Sequence, residues 1–311
     1  MIKGTVLKGV GGLYTVRLDT QYNGAEDVQV RGRGAFRHEK LVLLTGDKVE
    51  LEPQADGSFF CKSIVDRKNS LIRPPLANLD IIFVVIPCKK PMPSFEIIDK
   101  MIAIAEYNKI DPVIIVTKSD LDNNFAEEMY RIYSNSGFDV IVTSSENKEG
   151  VDGVREYLKR RTEKDCPICA FAGASGAGKS TLINTIFPTL CLETGDLSEK
   201  IQRGKNTTRH TELFSLNELL GKGYNGYLAD TPGFSLLDFE RFDFFGLDDL
   251  FDTFREFGGS EGKCKYTKCS HTKEEGCDIL ARVKNGEIEK TRHQSYVALY
   301  EILKKKPTWK K

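Results

Sequence analysis

One glycine-rich stretch carries the clearest chemical signal in the sequence. Residues 173–180 read Gly-Ala-Ser-Gly-Ala-Gly-Lys-Ser and match the pattern Gly-x-x-x-x-Gly-Lys-Ser/Thr at every fixed position. Glycines let the backbone wrap a polyphosphate closely and turn its N–H groups inward. In this pattern the lysine reaches the β and γ phosphates, and the last hydroxyl binds Mg²⁺. The stretch predicts a nucleoside triphosphate site, and a glycine-rich turn without a ligand is the alternative.

The residues that flank this loop favour the first interpretation. Residues 168–172 form a short apolar run typical of a buried strand, and residues 180–187 have helical spacing with Leu182, Ile183 and Ile186 inward. A helix that begins here directs the positive end of its dipole at the anion. The predicted nucleotide-binding residues of the loop are Gly173, Ala174, Ser175, Gly176, Ala177, Gly178, Lys179, Ser180 and Thr181.

The composition limits the classes of protein that remain. A chain of 311 residues is long enough for two or three domains. Its 45 basic and 45 acidic residues balance, so any basic surface must be local. No apolar run reaches the roughly 20 residues of a membrane span, and the start lacks the apolar run of a signal peptide. We therefore expect a cytoplasmic protein whose eight cysteines are thiols or metal ligands.

The first 67 residues predict a small β-barrel. Apolar and polar residues alternate at residues 5–8, 13–18 and 41–44, with turn residues between them. The size and pattern suit an OB-fold. Residues 31–38 interleave four cationic or imidazole side chains with Phe36, a combination that can neutralise phosphates and stack a base. A solvated loop is the alternative for this segment.

A different pattern begins after a proline-containing linker near residues 66–78. Residues 81–86 form a continuous apolar run, as expected for a strand that is covered on both faces. Further strands are predicted at residues 113–116, 140–143, 168–172, 212–216 and 224–229, and helices at residues 95–105, 125–133, 151–159 and 291–304. This alternation predicts an α/β domain with a mostly parallel sheet.

Two motifs after the phosphate loop complete a predicted catalytic site. Residues 230–233 read Asp-Thr-Pro-Gly after an apolar strand, where Asp230 would hold Mg²⁺ and the Gly233 N–H would sense the γ phosphate. An ordinary Pro-Gly turn is the alternative. Between the motifs, residues 207–210 offer a hydroxyl for the metal, and Thr208 is favoured because the segment resembles the Thr-Arg-Asp/His pattern of bacterial GTPases.

A third motif indicates which base is bound. Residues 117–120 resemble the Asn-Lys-x-Asp guanine signature of GTPases, and its carboxylate accepts from both N1–H and the exocyclic amine of guanine. Thr117 departs from that signature, while Lys118, Ser119 and Asp120 are compatible with it. A helix cap is the alternative. After the next strand, Ser144 and Ser145 take the place of the Ser-Ala-Lys loop, whose backbone N–H meets the guanine O6.

The order of these motifs is unusual. The guanine motif and the Ser144–Ser145 loop precede the phosphate loop, whereas GTPases usually place them last. Circular permutation preserves a sheet while it moves the termini, so the sequence predicts a circularly permuted GTPase. Phe234 stands where Ras-like enzymes carry a water-orienting glutamine, which predicts slow intrinsic hydrolysis and a missing group supplied by another residue, with His210 a candidate, or by a partner.

A second group of residues predicts a metal site. Cys264, Cys269, His271 and Cys277 lie within fourteen residues. Three thiolates and one imidazole suit a tetrahedral Zn²⁺ with no open position, which is a structural site. Unliganded cysteines are the alternative. By contrast, Cys166 and Cys169 are predicted to lie in the core, because residues three apart on a strand point to opposite faces.

A barrel, a permuted GTPase and this cysteine spacing, in that order, resemble the ribosome small-subunit-dependent GTPase A family, the RsgA or YjeQ type. The resemblance implies an OB-fold and a zinc domain that both grip ribosomal RNA, and a role in late maturation of the small (30S) subunit, which stimulates GTP hydrolysis. A basic C-terminal segment agrees with it; its cations are Lys290, Arg292, Lys304, Lys305, Lys306, Lys310 and Lys311.

These expectations combine into one prediction. The fold class is α/β, a circularly permuted P-loop GTPase domain (residues 68–245) flanked by an N-terminal OB-fold β-barrel (1–67) and a C-terminal α-helical zinc-binding domain (246–311). The activity is hydrolysis of GTP to GDP by a monomer that binds one Zn²⁺, and Mg²⁺ with GTP through Ser180, Thr208 and Asp230. The alternatives are an RNA-binding scaffold with negligible turnover and an ATPase, against which Asp120 argues.

Overall fold

Alternating apolar residues at the start of the chain form a closed barrel of five strands. They are β1 (Ile2–Val10), β2 (Leu13–Tyr22), β3 (Ala25–Arg31), β4 (Lys48–Pro53) and β5 (Phe59–Ile64), in the order β1-β2-β3-β5-β4. β1 closes the barrel because it pairs antiparallel with both β2 and β4. Inward side chains such as Val6, Val30 and Leu51 are at most 1% exposed. The predicted OB-type barrel is confirmed.

The computed structural model describes residues 1–31, 42–71, 74–190, 211–230 and 245–305. They fall into two units. One holds the described parts of residues 1–81, 157–170 and 197–234, and the other those of residues 82–156, 171–196 and 235–311. The domain boundaries at residues 67 and 245 stay predictions.

One strand prediction in the barrel is wrong. Residues 42–44 are not in a strand, although Leu43 is buried. They enter a tight turn in which the Leu44 N–H donates to the carboxylate of Asp47 at 2.7 Å and the Asp47 N–H donates to the Leu44 carbonyl at 3.1 Å. Gly46 takes a positive φ of 89° in this turn. Local hydrogen bonds to a side chain thus replace the expected ladder.

The alternating segments form a six-stranded sheet in the order β10-β9-β8-β11-β13-β12. Its strands are β8 (Ile81–Pro87), β9 (Asp111–Thr117), β10 (Val140–Val142), β11 (Ile168–Gly173), β12 (Glu212–Ser215) and β13 (Tyr227–Asp230), and a short hairpin of β6 (Ser70–Leu71) and β7 (Leu76–Ala77) precedes them. β9 and β10 are parallel, as are β11 and β13, whereas β12 is antiparallel to β13. All seven residues of β8 are buried, as the continuous apolar run predicts.

The helices of this region follow the predicted spacing. They are α1 (Phe95–Tyr107), α2 (Asn123–Asn135), α3 (Val151–Thr162), α4 (Lys179–Ile186) and the short α5 (Leu216–Leu220). In α4, Leu182 and Ile186 are buried and Ile183 is partly buried. Cys169 is in the core, but Cys166 is exposed because it lies before the start of β11, so its predicted burial is wrong.

The C-terminal segment has less regular structure than its pattern indicates. Two short 3-10 helices at Phe251–Thr253 and Arg255–Phe257 precede α6 (Asp278–Lys284) and α7 (Lys290–Lys304). Apolar side chains of this segment, together with Ala103 of α1, form a core that includes Leu250, Phe254, Phe257, Ile279 and Leu299. Within the described ranges, no helix has the length and apolar content to cross a membrane.

A buried arginine connects α7 with α1. The Arg292 guanidinium is 0% exposed, and it donates to Asp99 at 2.6 Å and to Glu256 at 2.7 Å. The Tyr133 hydroxyl also donates to Asp99, at 3.1 Å, and the ring of Phe254 lies 4.7 Å from the guanidinium carbon. Arg292 is therefore a buried structural cation, and its sequence-based assignment to a basic surface is wrong. Lys306, Lys310 and Lys311 of that assignment lie outside the described residues.

Candidate active site and metal centre

The phosphate loop joins the end of β11 to the start of α4. Gly173 has a φ of 154°, and a Cβ there would lie 2.6 Å from the backbone oxygen of Val85 on the neighbouring strand β8. Gly176 and Gly178 also have positive φ values, of 75° and 90°. Only glycine adopts these angles without strain, so the backbone conformation of this loop requires glycine at these positions. The loop backbone therefore has the shape that a polyphosphate requires.

The lysine of the loop folds back over the loop backbone. Its Nζ donates to the carbonyls of Gly173 and Ala174, each at 2.8 Å. Ser180 follows in the first turn of α4 and is partly buried, while Ser175 is exposed at the mouth of the loop. This places a cation, a hydroxyl and a helix N-terminus around one short stretch of backbone.

The guanine motif contacts the phosphate loop directly. The Thr117 hydroxyl, at the end of β9, donates to the Ala177 carbonyl at 2.7 Å. The Lys118 ammonium donates to the Gly176 carbonyl at 2.8 Å and to the Lys90 carbonyl at 2.6 Å. Thr117 thus makes a loop contact through its hydroxyl although it departs from the usual asparagine. Thr117 and Ala177 are 60 residues apart in the sequence, so their contact brings the two motifs together in one site.

A buried serine orients the predicted guanine-reading carboxylate. Ser144 is 0% exposed, and its hydroxyl accepts from the Asn147 N–H at 3.2 Å. The hydroxyl proton is therefore directed to Asp120, whose Oδ1 lies 2.5 Å away. Asp120 itself is exposed and follows the buried Ser119 in a short 3-10 turn. A serine at the end of the adjacent strand was visible in the sequence, but its side-chain contact with Asp120 was not.

The remaining predicted catalytic residues are only partly described. Asp230 is the last residue of β13 and is partly buried. Thr208, Gly233, Phe234 and His210 lie outside the described residues, so their roles stay predictions. The described loop, guanine motif and Ser144–Ser145 turn all belong to the unit that contains residues 82–156 and 171–190.

The four predicted metal ligands come together in the C-terminal segment. Their ligand atoms all lie within 4.8 Å of one another. The Nδ1 of His271 is 3.5 Å from the Cys264 sulfur and 3.4 Å from the Cys277 sulfur, and the two sulfurs are 3.9 Å apart. Tetrahedral Zn²⁺ with ordinary bond lengths requires about 3.5 Å between nitrogen and sulfur and about 3.8 Å between sulfurs. The donor set fits this ion, and so do the distances among Cys264, His271 and Cys277.

Neighbouring groups hold the ligand loop in place. The Asp278 N–H donates to the Cys264 sulfur at 3.4 Å, and His293 contacts the His271 carbonyl at 2.8 Å. The Glu274 carboxylate accepts from the N–H groups of Ser270 and Thr272, at 2.9 and 3.1 Å. Burial lowers the pKa of His271, which favours the neutral imidazole that binds metals. The loop is thus arranged for a closed structural site.

The fold and the site together define the class of this protein. A phosphate loop between β11 and α4 contacts a guanine motif that comes earlier in the chain, after β9. In the sequence, a closed barrel comes before these motifs and a Cys/His cluster comes after them. This arrangement is that of a circularly permuted P-loop GTPase.

Comparisons with known proteins agree with that class. Residues 64–240 match the model of the family described as RsgA GTPase, and residues 3–58 match the RsgA N-terminal domain. The small ribosomal subunit biogenesis GTPase RsgA 2 of Oceanobacillus iheyensis is 36% identical over 99% of this chain and 100% of its own length. The corresponding protein of Ruminiclostridium cellulolyticum is 37% identical over 99% of this chain and 95% of its own.

Two solved structures are also similar. YjeQ from Thermotoga maritima has a TM-score of 0.80 at 30% identity and covers 98% of this chain and 99% of its own. YloQ, described as a circularly permuted GTPase, has a TM-score of 0.76 at 30% identity and covers 99% and 98%. The chain belongs to the RsgA GTPase family, and its enzymatic class is GTP hydrolase.

Proposed function

We propose that this chain hydrolyses GTP to GDP and phosphate on the small ribosomal subunit late in its maturation. The relatives' names state small ribosomal subunit biogenesis, and the proposal brings that role to this chain. The observation that carries the nucleotide part is the contact of Lys118 and Thr117 with Gly176 and Ala177. It joins the base-reading motif to the phosphate loop. The triphosphate form binds the immature subunit, and the diphosphate form leaves it.

The chain's own groups have distinct roles in the proposed reaction. Lys179 and the N–H groups of the loop stabilise the negative charge that develops on the β and γ phosphates. Ser180, Thr208 and Asp230 would hold Mg²⁺, and their hydroxyl and carboxylate oxygens are the ligands that this ion prefers. When bound, the ion neutralises the phosphate oxygens. Gly233 senses the γ phosphate through its N–H. Phe234 has no group to orient water, so the subunit completes the site.

The proposed base preference depends on one carboxylate. Asp120, directed by the Ser144 hydroxyl, accepts from the N1–H and the exocyclic amine of guanine, while the Ser145 N–H meets O6. Asp120→Asn should move the preference from GTP toward xanthosine triphosphate, which carries an acceptor where guanine carries the amine. Asp152→Asn makes the same chemical change on an exposed side chain of α3 and should leave the preference unchanged. An unaltered GTP preference in Asp120→Asn would refute the assignment.

The proposed partners follow from charge and from the metal site. The barrel, with residues 31–38, and the C-terminal segment, with Lys290, Lys304 and Lys305, contact ribosomal RNA through its phosphates. One structural Zn²⁺ bound by Cys264, Cys269, His271 and Cys277 keeps the second surface folded. We propose that the chain works as a monomer in the cytoplasm, where its partner is found.

The decisive experiment is GTP turnover with and without purified small ribosomal subunits, at low and moderate salt. The Lys179→Ala variant, which lacks the phosphate-binding ammonium, serves as the blank. We expect subunits to raise turnover at least tenfold, or about 1.4 kcal/mol of barrier, and moderate salt to weaken that effect. Turnover that subunits do not change, with subunit binding intact, would make the protein a scaffold that holds GTP and refute the proposed activation.

A further inference from the structure

The helix that follows the guanine motif begins close to the carboxylate proposed to read the base. α2 starts at Asn123, three residues after Asp120, and the Asp122 carboxylate caps it by accepting from the Phe125 N–H at 3.1 Å. Its 13 residues span about 20 Å, so its last turn lies well away from the motif. Because a helix transmits a displacement as a rigid element, whatever fixes that last turn also affects where the helix begins.

A carboxylate of the C-terminal segment binds two side chains near the end of α2. Glu289 is the residue just before α7, and its side chain is only 12% exposed. It accepts from the side-chain amide of Asn135 at 2.9 Å and from the Arg131 guanidinium. A hydrogen bond between charged groups is stronger than one between neutral groups. These contacts therefore join the last turns of α2 to the start of α7.

A second connection passes through the buried arginine. The Tyr133 hydroxyl on α2 and the Arg292 guanidinium on α7 both donate to the Asp99 carboxylate on α1, at 3.1 and 2.6 Å. All three residues are 0% exposed. A buried carboxylate that loses a donor cannot replace it with water, so breaking either contact is costly. One carboxylate thus fixes α1, α2 and α7 relative to one another.

Both α1 and α2 follow segments that meet at the nucleotide site. α2 follows the guanine motif itself, and α1 follows residues 88–94. The Lys90 carbonyl of that segment accepts from the Lys118 ammonium at 2.6 Å, and the Cys88 N–H donates to the Thr117 carbonyl at 2.8 Å. The relative position of the two helices therefore depends on the guanine motif at one place and on the contacts of α7 at another.

We propose that α7 positions the guanine-reading carboxylate. Through Glu289 and the shared Asp99 carboxylate it fixes α2, and α2 fixes the turn that carries Asp120, so the C-terminal segment contributes to base selection from the far end of a helix. This inference rests on the proposed function, which assigns guanine recognition to Asp120. Tyr133, Glu289 and Arg292 are then positioning residues, and weakening them should affect base contacts more than phosphate contacts.

Base discrimination in a conservative variant tests the proposal. GDP offers two hydrogens to Asp120, whereas inosine diphosphate lacks the exocyclic amine and offers one. Tyr133→Phe removes only the hydroxyl that binds Asp99, and Tyr130→Phe makes the same change on a side chain of α2 that is 51% exposed. We expect the ratio of the two affinities to fall about threefold in Tyr133→Phe, the size of one weakened hydrogen bond, and to stay unchanged in Tyr130→Phe. A general loss of stability would not separate the two nucleotides.

A second variant breaks the other connection. Glu289→Gln keeps the shape of the side chain but removes the charge that binds Arg131. It should also lower the preference for GDP about threefold, and in combination with Tyr133→Phe the loss should reach about tenfold. Glu287→Gln is the matched control, because this half-exposed carboxylate pairs with Arg282 within the C-terminal segment, and it should keep the wild-type preference.

A measurement on the unmodified protein guards against a variant that fails to fold. Coupling between two sites is reciprocal, so a base that binds Asp120 fully should also stabilise the contacts of α7. With the site saturated in both cases, hydrogen exchange at the amides of residues 292–299 should be slower with GDP than with inosine diphosphate.

Two results would overturn the proposal: folded Tyr133→Phe and Glu289→Gln that keep the wild-type ratio of affinities, or equal exchange in α7 with the two nucleotides. Failure of the proposed guanine recognition is a different result. In that case Asp120→Asn would also keep the wild-type ratio, and both the assignment of Asp120 and the role of α7 would be wrong.

Discussion

The two ends of the chain are stabilised by different interactions. Strands β1–β5 exchange backbone hydrogen bonds around an apolar core, with Val6, Val16, Val49 and Leu51 at its centre. Residues 246–305 have helices and an apolar core of their own but no strand in the part that the structure describes, and two further features stabilise them, the Cys/His cluster and the buried Arg292 ion pairs. The barrel should therefore tolerate metal loss, and the C-terminal segment should not.

This difference has a physical origin. A closed barrel satisfies its backbone groups internally, and burial of side chains from five strands then supplies the stability. A segment without paired strands lacks these backbone ladders, and small segments often use metals to compensate. We therefore expect the barrel surface that is proposed to bind RNA to stay folded without metal. The C-terminal surface should need its bound metal and its buried ion pairs to stay folded.

Metal removal should produce the largest effect. A strong chelator, or Cys277→Ser, should unfold residues 246–305 while β1–β5 keep their protection, because metal binding to such sites supplies of order 10 kcal/mol of folding free energy. Hydrogen exchange, measured separately for the two regions, follows the unfolding, and elemental analysis measures the zinc content. Cys61→Ser is the matched control, since it alters a buried cysteine of the barrel and should leave zinc content unchanged. Equal loss of protection in both regions would contradict the comparison.

Removal of the buried cation should have the next largest effect. Arg292→Met leaves the Asp99 and Glu256 carboxylates without their partner and should lower the free energy of unfolding by about 3–5 kcal/mol. Urea unfolding measures it. Arg282→Met, which breaks a half-exposed pair with Glu287, should cost about 1 kcal/mol or less. Arg292→Met combined with Asp99→Leu and Glu256→Met should recover much of the loss. If Arg292→Met has the same urea midpoint as the wild type, the ion pairs of Arg292 do not contribute to the stability of the protein.

The barrel has a sensitivity of its own, to alkali. Burial, with a smaller contribution from the charge of Asp47, raises the pKa of Cys61 from 9.0 to about 11. The unfolded thiol therefore ionises first, and its contribution to stability, complete below about pH 9, is lost as the pH rises to about 11. That range corresponds to on the order of 3 kcal/mol. Cys61→Val should remove this part of the pH dependence in denaturant titrations. If the stability of Cys61→Val falls between about pH 9 and pH 11 as steeply as that of the wild type, the prediction is wrong.

The smallest effect should come from a carboxylate in the ligand loop. Partial burial would raise the pKa of Glu274, but hydrogen bonds from the Ser270 hydroxyl and from backbone N–H groups lower it from 4.5 to about 2. Its stabilisation is present above about pH 4.5 and is lost as the pH falls toward 2. Because the side chain is partly exposed, Glu274→Gln should cost only about 1 kcal/mol at pH 7. Thermal unfolding measures this cost, and Glu275→Gln, which removes the same charge from an exposed neighbour, is the control. Equal melting temperatures for the two variants would contradict the prediction.

Local chemistry explains which features the sequence predicts well. The phosphate loop and the Cys/His cluster are defined within 8 and 14 residues, because phosphate and zinc require particular residue types at short spacing. The apolar run of β8 and the helical spacing of α4 also depend only on near neighbours. Short-range signals of this kind predict the permuted sheet and the cluster of Cys264, Cys269, His271 and Cys277.

The contacts that escaped prediction connect distant residues. Arg292 and Asp99 are 193 positions apart, and Thr45 and Thr211 are 166 apart. Arg292 sits among lysines in the sequence, where a surface role is the natural interpretation, and only the folded chain shows its partners. The apolar residues at 42–44 resemble a strand in the sequence because a turn closed by Asp47 has no periodic signature.

The permuted order also determines when the nucleotide site can exist. Synthesis delivers β8, β9 and β10 first, but β8 lies beside β11, which begins about 80 residues after β8 ends, or roughly 4–16 seconds later at ordinary translation speed. During that interval an entirely apolar strand has one unpaired edge, a form that invites wrong pairing. The guanine motif is thus synthesised before its phosphate loop, and until β11 arrives the sheet is incomplete.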